Sequence, residues 1–467
     1  EGHFVSDCWA IRDFYEGHHV TDNAVDSAAM ALNAGCDLNC GCTYQHALAA
    51  VMAGKVSEET VRESAVRLMT ARYMLGILGE GSEYDKIPYE VVECPEHLAK
   101  AEEAARKACV LLKNDGLLPL NENKLNTVGV IGPNADSIAS LIGNYHGTSS
   151  RYITLQTGIQ DALEGKARVL CAQGCHLYRD RASNLSQEKD DLMSEALTVA
   201  ENSDVVVLVV GLDETLEGEQ GDTGNPFGSA DKLDLLLPAS QRRLLDRVLA
   251  TGKPTVICLT AGSAIDLGAA GEKANAILQC WYPGARGGKA VADLLLGHDS
   301  PSGKLPVTFY YNDQLKEMPA FTDYSMKGRT YRYIESEPLY PFGYGLTYGD
   351  VWVTDAKAER RDGTLKLTAS LYNGGQRDTD EVLQVYCQNE GSANAPIHPR
   401  LCAFRRVHVP AGESVNAVLT VDERAFLVVD AKGDRISEGK VVLYAGVGQP
   451  DTRTEALTGH ASVKIEL

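Results

Sequence analysis

Between residues 109 and 312, five short apolar-rich runs, at 128–131, 167–171, 205–210, 255–260 and 276–281, are separated by stretches with helical apolar spacing. Near-continuous apolar strands alternating with helices suit a mostly parallel sheet covered on both faces, because each strand is then buried above and below. These residues predict an open α/β sheet. From Val351 the pattern changes to period two. Leu365, Leu367, Ala369 and Leu371 alternate with Thr364, Lys366, Thr368 and Ser370, and Val415, Ala417, Leu419 and Val421 repeat the pattern. Such alternation, cut by Gly, Asn and Asp turns, predicts an antiparallel β-sandwich.

The first eighty residues follow a third pattern. Residues 3–8 read as a short strand that delivers Ser6 and Asp7 to its C-terminal end, and Val25, Ala28, Ala29 and Leu32 then repeat with helical spacing. A second short strand is expected near 34–39. Ser57 is placed to cap a helix with Glu58 and Glu59 in its first turn and Val61, Ala65, Leu68 and Met69 on one face. Two strand–helix units cannot form a closed or doubly covered parallel sheet, so this segment reads as the tail of a larger domain. Residues 79–95 are rich in turn formers and charge and read as a linker into the amphipathic run 97–108. Residues 317–349 are rich in Pro, Gly and Tyr and show no period, as expected of a long ordered connection.

With 467 residues, about three domains are expected. A formal net charge of −20 repels a phosphate backbone, which argues against nucleic acid as a partner. The longest apolar runs, such as 47–53 and 205–210, fall well short of the roughly 18 to 20 residues that span a bilayer, so no membrane partner is expected. The 12 Cys are too sparse for a small disulfide scaffold, and free, mostly buried thiols in a cytoplasmic setting are the default. Should the chain be exported, Cys8 with Cys40 and Cys171 with Cys175 are the candidate pairs. Cys36, Cys40 and Cys42 lack the paired spacing of structural zinc, so no metal is expected. Gly129-Val130-Ile131-Gly132 lacks the rest of a dinucleotide loop and reads as a turn of the chain, so no cofactor is expected either.

Two acidic places lie where strand ends host ligands: Asp7, and the cluster Asp213, Glu214, Glu217, Glu219 and Asp222 after the run 205–210. Paired carboxylates suit glycoside hydrolysis, in which one attacks the anomeric carbon and the other gives a proton to the leaving oxygen. A solvated acidic loop is the plain alternative for the cluster taken alone.

Ordered motifs run along most of the chain. Phe4-Val5-Ser6-Asp7-Cys8-Trp9 and Ala34-Gly35-Cys36-Asp37-Leu38-Asn39-Cys40-Gly41 come first, then Ala108-Cys109-Val110-Leu111-Leu112-Lys113-Asn114-Asp115-Gly116 and Leu141-Ile142-Gly143-Asn144-Tyr145. Trp281-Tyr282-Pro283-Gly284, Pro301-Ser302-Gly303-Lys304-Leu305-Pro306 and Tyr340-Pro341-Phe342-Gly343-Tyr344-Gly345-Leu346 follow. In this order they resemble glycoside hydrolase family 3. The resemblance implies the C-terminal fragment of a TIM-like barrel, then an α/β sandwich domain, then a fibronectin type III-like β-sandwich. The divisions are 1–80 for the barrel part, 81–105 for a linker, 106–313 for the α/β domain, 314–350 for an ordered linker and 351–467 for the last domain.

The resemblance further implies a retaining exo-acting β-glycosidase for terminal β-linked xylose or glucose, with Asp7 as nucleophile. Glu219, in Glu219-Gln220-Gly221-Asp222-Thr223, is the acid/base match, and Glu217 is the alternative. Trp9 and Asp222 are its substrate-binding candidates, whereas Trp281 and Tyr282 are expected to pack rather than to carry sugar. Ser-Asp-Cys at 6–8 and Asp-x-Asn-Cys-Gly at 37–41 lean toward the β-xylosidase and arabinofuranosidase branch. Expected partners are a carbohydrate substrate, a polypeptide supplying the N-terminal part of the barrel, and a second copy in a homo-oligomer. A noncatalytic carbohydrate-binding or assembly subunit is the alternative reading.

Overall fold

A computed structural model describes residues 2–180, 188–219, 232–320, 323, 325–361 and 364–467. It divides into two units, Glu1–Cys94 and Pro95–Leu467. No helix among the described residues is long and apolar enough to cross a membrane.

In the first unit, the two expected strands shrink to a single parallel bridge between Val5 and Leu38. A strand lengthens when neighbours on both sides take up its backbone groups, and here each segment has one. The junction is nevertheless well tied. Ser6 N–H donates to the Leu38 carbonyl at 2.9 Å, Asp37 N–H to the Phe4 carbonyl at 2.8 Å, and Phe4 N–H to Asp37 Oδ2 at 3.0 Å. Asp37 is only 6% exposed, and Arg67 Nε reaches its other oxygen at 3.0 Å, so its charge is partnered. The α-helices of this unit are Ala10–Glu16, Ala24–Asn33, Ala47–Met52 and Glu58–Met74. Asn23 caps the second helix by accepting from Asp26 N–H, and Ser57 caps the last by accepting from Thr60 N–H, as its place in the sequence leads one to expect.

The parallel alignment also overturns the expectation that all thiols are free. Running side by side, the segments bring Cys8 and Cys40 to a Cα separation of 4.5 Å, and the two are joined by a disulfide. Cys36 and Cys42 remain free, as do Cys171 and Cys175, and burial pushes the Cys175 thiol up to about 12. A bond closing a loop with a sequence separation of 32 stabilises by about 3 to 4 kcal/mol in the chain-entropy account. Peptide mapping without reductant is expected to recover Cys8 and Cys40 in one linked pair. Alkylation of both thiols in native, unreduced protein would contradict it.

The second unit opens with helix Pro95–Ala108. Residues 95–105 of the stretch 81–105, expected to be linker, are therefore helix, and Glu102 within it pairs with Arg286 at 3.7 Å, next to helix Gly287–Leu296. Strands β1 (Val110–Asn114), β2 (Thr127–Ile131), β3 (Arg168–Ala172), β4 (Val205–Gly211), β5 (Thr255–Thr260) and β6 (Ala276–Gln279) form one sheet in the order β1-β6-β5-β4-β2-β3. β2 to β6 are parallel, and β1 joins antiparallel at the edge, an edge strand that the apolar pattern did not separate from the preceding helix. Both faces are buried: Val206, Leu208 and Val210 point into one core, and Val205, Val207 and Val209 into the other. Gly132 has a φ of +138°, and a Cβ there would come within 1.9 Å of the Val209 carbonyl oxygen. The glycine is thus required by close packing of β2's exit against β4.

Between residues 314 and 350, side chains of the described residues pack on each other and on the α/β domain. Tyr344, 2% exposed, donates its O–H to the Leu112 carbonyl at 3.0 Å, and Tyr331 stacks on Phe342 with ring centres 4.1 Å apart. The sandwich that follows pairs β7 (Val351–Arg361), β8 (Thr364–Asn373) and β11 (Ser414–Val421) in one sheet, ordered β11-β8-β7. β9 (Thr379–Glu390), β10 (Arg400–Val409), β14 (Lys440–Gly446) and β15 (Val463–Glu466) form the other, while β12 (Val428–Val429) and β13 (Arg435–Ile436) make a small hairpin. The alternating residues Leu365, Leu367, Ala369 and Leu371 are all buried between the sheets. A buried ion pair joins the sandwich to the α/β domain. Lys304 Nζ lies 2.7 Å from Glu381 Oε1, with side chains only 9% and 4% exposed, and it also donates to the Gly345 carbonyl at 2.6 Å.

Candidate active site

Asp7 leaves the Val5–Leu38 bridge at the C-terminal end of its segment. Ser6 Oγ fixes that exit by accepting from Cys40 N–H at 3.0 Å and Asn39 Nδ2 at 3.2 Å. Asp7 Oδ1 accepts from Cys8 N–H at 2.8 Å, and its carboxylate is exposed on an open groove of about 560 Å³ that Phe4, Ile11, Phe14 and Met30 also line. Trp9 stands two residues on, at a φ of 64°, half exposed and with the Arg12 guanidinium 5.4 Å from its ring centre. An exposed carboxylate on a largely apolar groove can act as a nucleophile toward a bound electrophile.

The second acidic place sits where the sheet order reverses. From β2 the chain steps to β3 on one side, and β4, β5 and β6 lie on the other, which opens a crevice beyond the strand C-termini between β2 and β4. Asn134 Nδ2 bridges the two exits by donating to the Leu212 carbonyl at 2.9 Å. After β4, Asp213 caps the single turn Glu214–Glu217 by accepting from Thr215 N–H at 2.9 Å. Glu214 is 3.4 Å from His146 Nε2.

The two acid/base candidates have different surroundings. Glu217 Oε2 accepts from Gly262 N–H at 2.7 Å and from the Tyr282 hydroxyl at 2.5 Å, while its Oε1 is buried with no hydrogen bond among the described residues. Burial, reinforced by the Glu217 charge, holds the Tyr282 phenol well above its ordinary range. Glu219 is exposed, and the Tyr145 hydroxyl donates to its Oε2 at 2.5 Å. Asp222 lies outside the described residues. Lys232, which the motifs did not point to, is drawn into the same place: burial lowers its amine below the usual lysine range, against the raising pull of Glu217 and Asp234. It is the only cation between residues 212 and 238, a signal visible in the sequence.

Trp281 packs, as expected. Its Nε1–H donates to the Ala108 carbonyl at 3.0 Å, and its ring meets Phe309 edge-on at 6.1 Å. Tyr282 does more than pack, because its hydroxyl is spent on Glu217. Among the described residues no group of three or more His, Cys, Asp or Glu has a metal-holding arrangement.

Residues 109–348 match the model of the glycosyl hydrolase family 3 C-terminal domain, and residues 381–448 match that of a fibronectin type III-like domain. The chain belongs to glycoside hydrolase family 3. A xylan 1,4-beta-xylosidase of Xylanibacter ruminicola is 28% identical to this family 3 chain over 97% of its length and 69% of the relative's. A periplasmic beta-glucosidase of Salmonella typhimurium is 30% identical over 96% of this chain and 62% of its own. Among solved structures, a family 3 exo-beta-xylosidase, XlnD, in complex with a xylobiose aziridine activity-based probe superposes with a TM-score of 0.84 at 27% identity, over 100% of this chain and 61% of that one. A β-glucosidase of Erythrobacter marinus gives 0.83 at 29% identity, over 100% and 63%. The family 3 chain thus spans roughly two thirds of the length of the relatives it matches.

Proposed function

We propose that this chain carries both catalytic carboxylates of a retaining, exo-acting β-glycosidase that removes terminal β-linked xylose or glucose from oligosaccharides or glycosides. Asp7 is the nucleophile, and Glu219, ahead of Glu217, is the acid/base. The observation that carries this reading is the contrast on the loop after β4: Glu217 is pinned by two donors, while Glu219 stands exposed two residues further on. An acid that must protonate a leaving oxygen and later activate water must be open to both, and of the two carboxylates Glu219 is the exposed one, with the Tyr145 hydroxyl donating to it. Xylosidases and glucosidases among the relatives support the substrate class, and the Ser-Asp-Cys and Asp-x-Asn-Cys-Gly motifs favour xylose.

In this reading the segment up to Met74 contributes two strand–helix units of a (β/α)8 barrel, and further polypeptide supplies the remaining units that closure requires. Phe4, Val5 and Leu38 support it, being 65, 49 and 40% exposed along what would otherwise be an unpaired apolar edge. The Cys8–Cys40 bond favours an oxidising compartment over the cytoplasmic default.

Residues 1–467 alone are expected to be inactive on β-xylosides and β-glucosides, and to turn them over once the remaining barrel units are supplied. In that active form, Glu219→Ala should slow substrates with poor leaving groups by about 10²- to 10⁴-fold and activated aryl glycosides far less, with azide restoring the latter. Full activity from residues 1–467 free of any other polypeptide would overturn the barrel requirement. The azide pattern in Glu217→Ala, and its absence from Glu219→Ala, would exchange the two roles. Inactivity of the assembled form on every β-glycoside would favour the noncatalytic carbohydrate-binding role.

A further inference from the structure

A ring of contacts closes around the loop after β4. Tyr282 and Gly262 hold Glu217 Oε2 from two directions, at 2.5 and 2.7 Å. The Tyr282 ring lies hard against the turn at Gly143, whose φ is +60° and where a Cβ would come within 2.6 Å of Tyr282 Cδ2. Two residues along that same turn, Tyr145 donates to Glu219. Glu217, Tyr282, Gly143, Tyr145 and Glu219 therefore form a closed path that begins and ends on one loop segment. Three of its steps are hydrogen bonds or contacts at or near van der Waals distance, and the remaining links are covalent backbone. A loop held at a single point can swing, whereas one held at both ends by a shared support has its side chains set in place.

We propose that Tyr282 is a positioning residue for the acid/base carboxylate, acting through Glu217 to hold the Glu214–Glu219 segment against the Gly143–Tyr145 turn. Glu217 in this role is an anchor that exchanges no proton with substrate. Its carboxylate accepts, the phenol and the backbone amide donate, and the placement of Glu219 two residues away follows. This rests on the reading of Glu219 as the acid/base.

The test uses the active, assembled enzyme and compares unactivated alkyl β-glycosides with dinitrophenyl β-glycosides. The variants are Tyr282→Phe, Glu217→Gln, Glu217→Ala and Glu219→Ala. Tyr282→Phe keeps the ring against Gly143 and removes only the hydroxyl, so thermal unfolding should be nearly unchanged. Its kcat/KM on the alkyl glycosides should fall about tenfold or more, while kcat/KM for the dinitrophenyl substrates, whose leaving group needs no proton, falls less than about threefold. Glu217→Ala should show the same split without azide rescue, since in this role its carboxylate is not the base that activates water. Glu217→Gln, whose amide oxygen still accepts both hydrogen bonds, should recover most of the activity lost in Glu217→Ala. Equal losses on both substrate classes in Tyr282→Phe, or no loss on either, would overturn the positioning role, as would a Glu217→Gln variant no better than Glu217→Ala. If Glu219→Ala itself lacks leaving-group dependence, the acid/base assignment fails instead, and the two failures are thereby told apart.

Discussion

Asp7→Asn is expected to lower turnover of the assembled enzyme by about 10⁴-fold or more while leaving the fold unchanged. Asn is close in shape to Asp, and its amide oxygen can still accept from Cys8 N–H, the contact that Asp7 Oδ1 makes at 2.8 Å. The exit of the segment is held by Ser6 and the Cys8–Cys40 bond rather than by the Asp7 charge. What the substitution removes is the anionic oxygen that would form the bond to the anomeric carbon. A 2-fluoro glycoside, which forms the covalent intermediate faster than it is hydrolysed, should place its mass on the peptide containing Asp7. Modification of any other carboxylate would end the assignment, as would an Asp7→Asn variant with more than a few per cent of the parent's turnover. A retaining mechanism further requires the two carboxyl groups to act about 5 to 5.5 Å apart.

Glu381→Leu is expected to destabilise the second unit by about 3 to 5 kcal/mol in denaturant unfolding, because it leaves the Lys304 ammonium buried without its counter-charge. The double variant Lys304→Met with Glu381→Leu should recover most of that loss. Taking two charges out of water costs about as much as their attraction returns, so an apolar pair of similar volume is a fair replacement. Burial raises the Glu381 carboxyl above its ordinary value, and Lys304, Val382 N–H and Arg406 oppose the rise. A carboxyl that holds its proton more tightly in the folded state loses stability as pH climbs from the unfolded value through the folded one. The double variant should therefore lack that share of the pH slope. A single variant as stable as the parent would mean that the pair is not buried in solution.

The α/β and sandwich domains were legible because burial leaves a period in the sequence. The run 205–210 is apolar throughout because β4 is covered on both faces, and Leu365 to Leu371 alternate because β8 is covered on one. Strand β1 was missed because an antiparallel edge strand directly after a helix carries no turn signal of its own. The helix at Pro95–Ala108 was partly read as linker because its partners, Asp293 and Arg286, lie nearly two hundred residues away in the chain.

At the candidate site the chain order by itself determined which carboxylates follow strand segments, Asp7 and, among the described residues, the group from Asp213 to Glu219, because strand ends follow from periodicity. The motif resemblance ranked Glu219 ahead of Glu217, two acids on one loop, without showing what surrounds either. The tertiary structure gives them different surroundings, setting Gly262 from beyond β5 and Tyr282 from beyond β6 against Glu217 and the Tyr145 hydroxyl against an exposed Glu219. The joining of Cys8 to Cys40 was likewise decided in three dimensions, by the parallel alignment of Val5 with Leu38. The physical reason is common to both: hydrogen bonds and covalent cross-links depend on distances of a few ångströms between segments that local spacing does not relate, whereas burial of whole faces is a local property that spacing records.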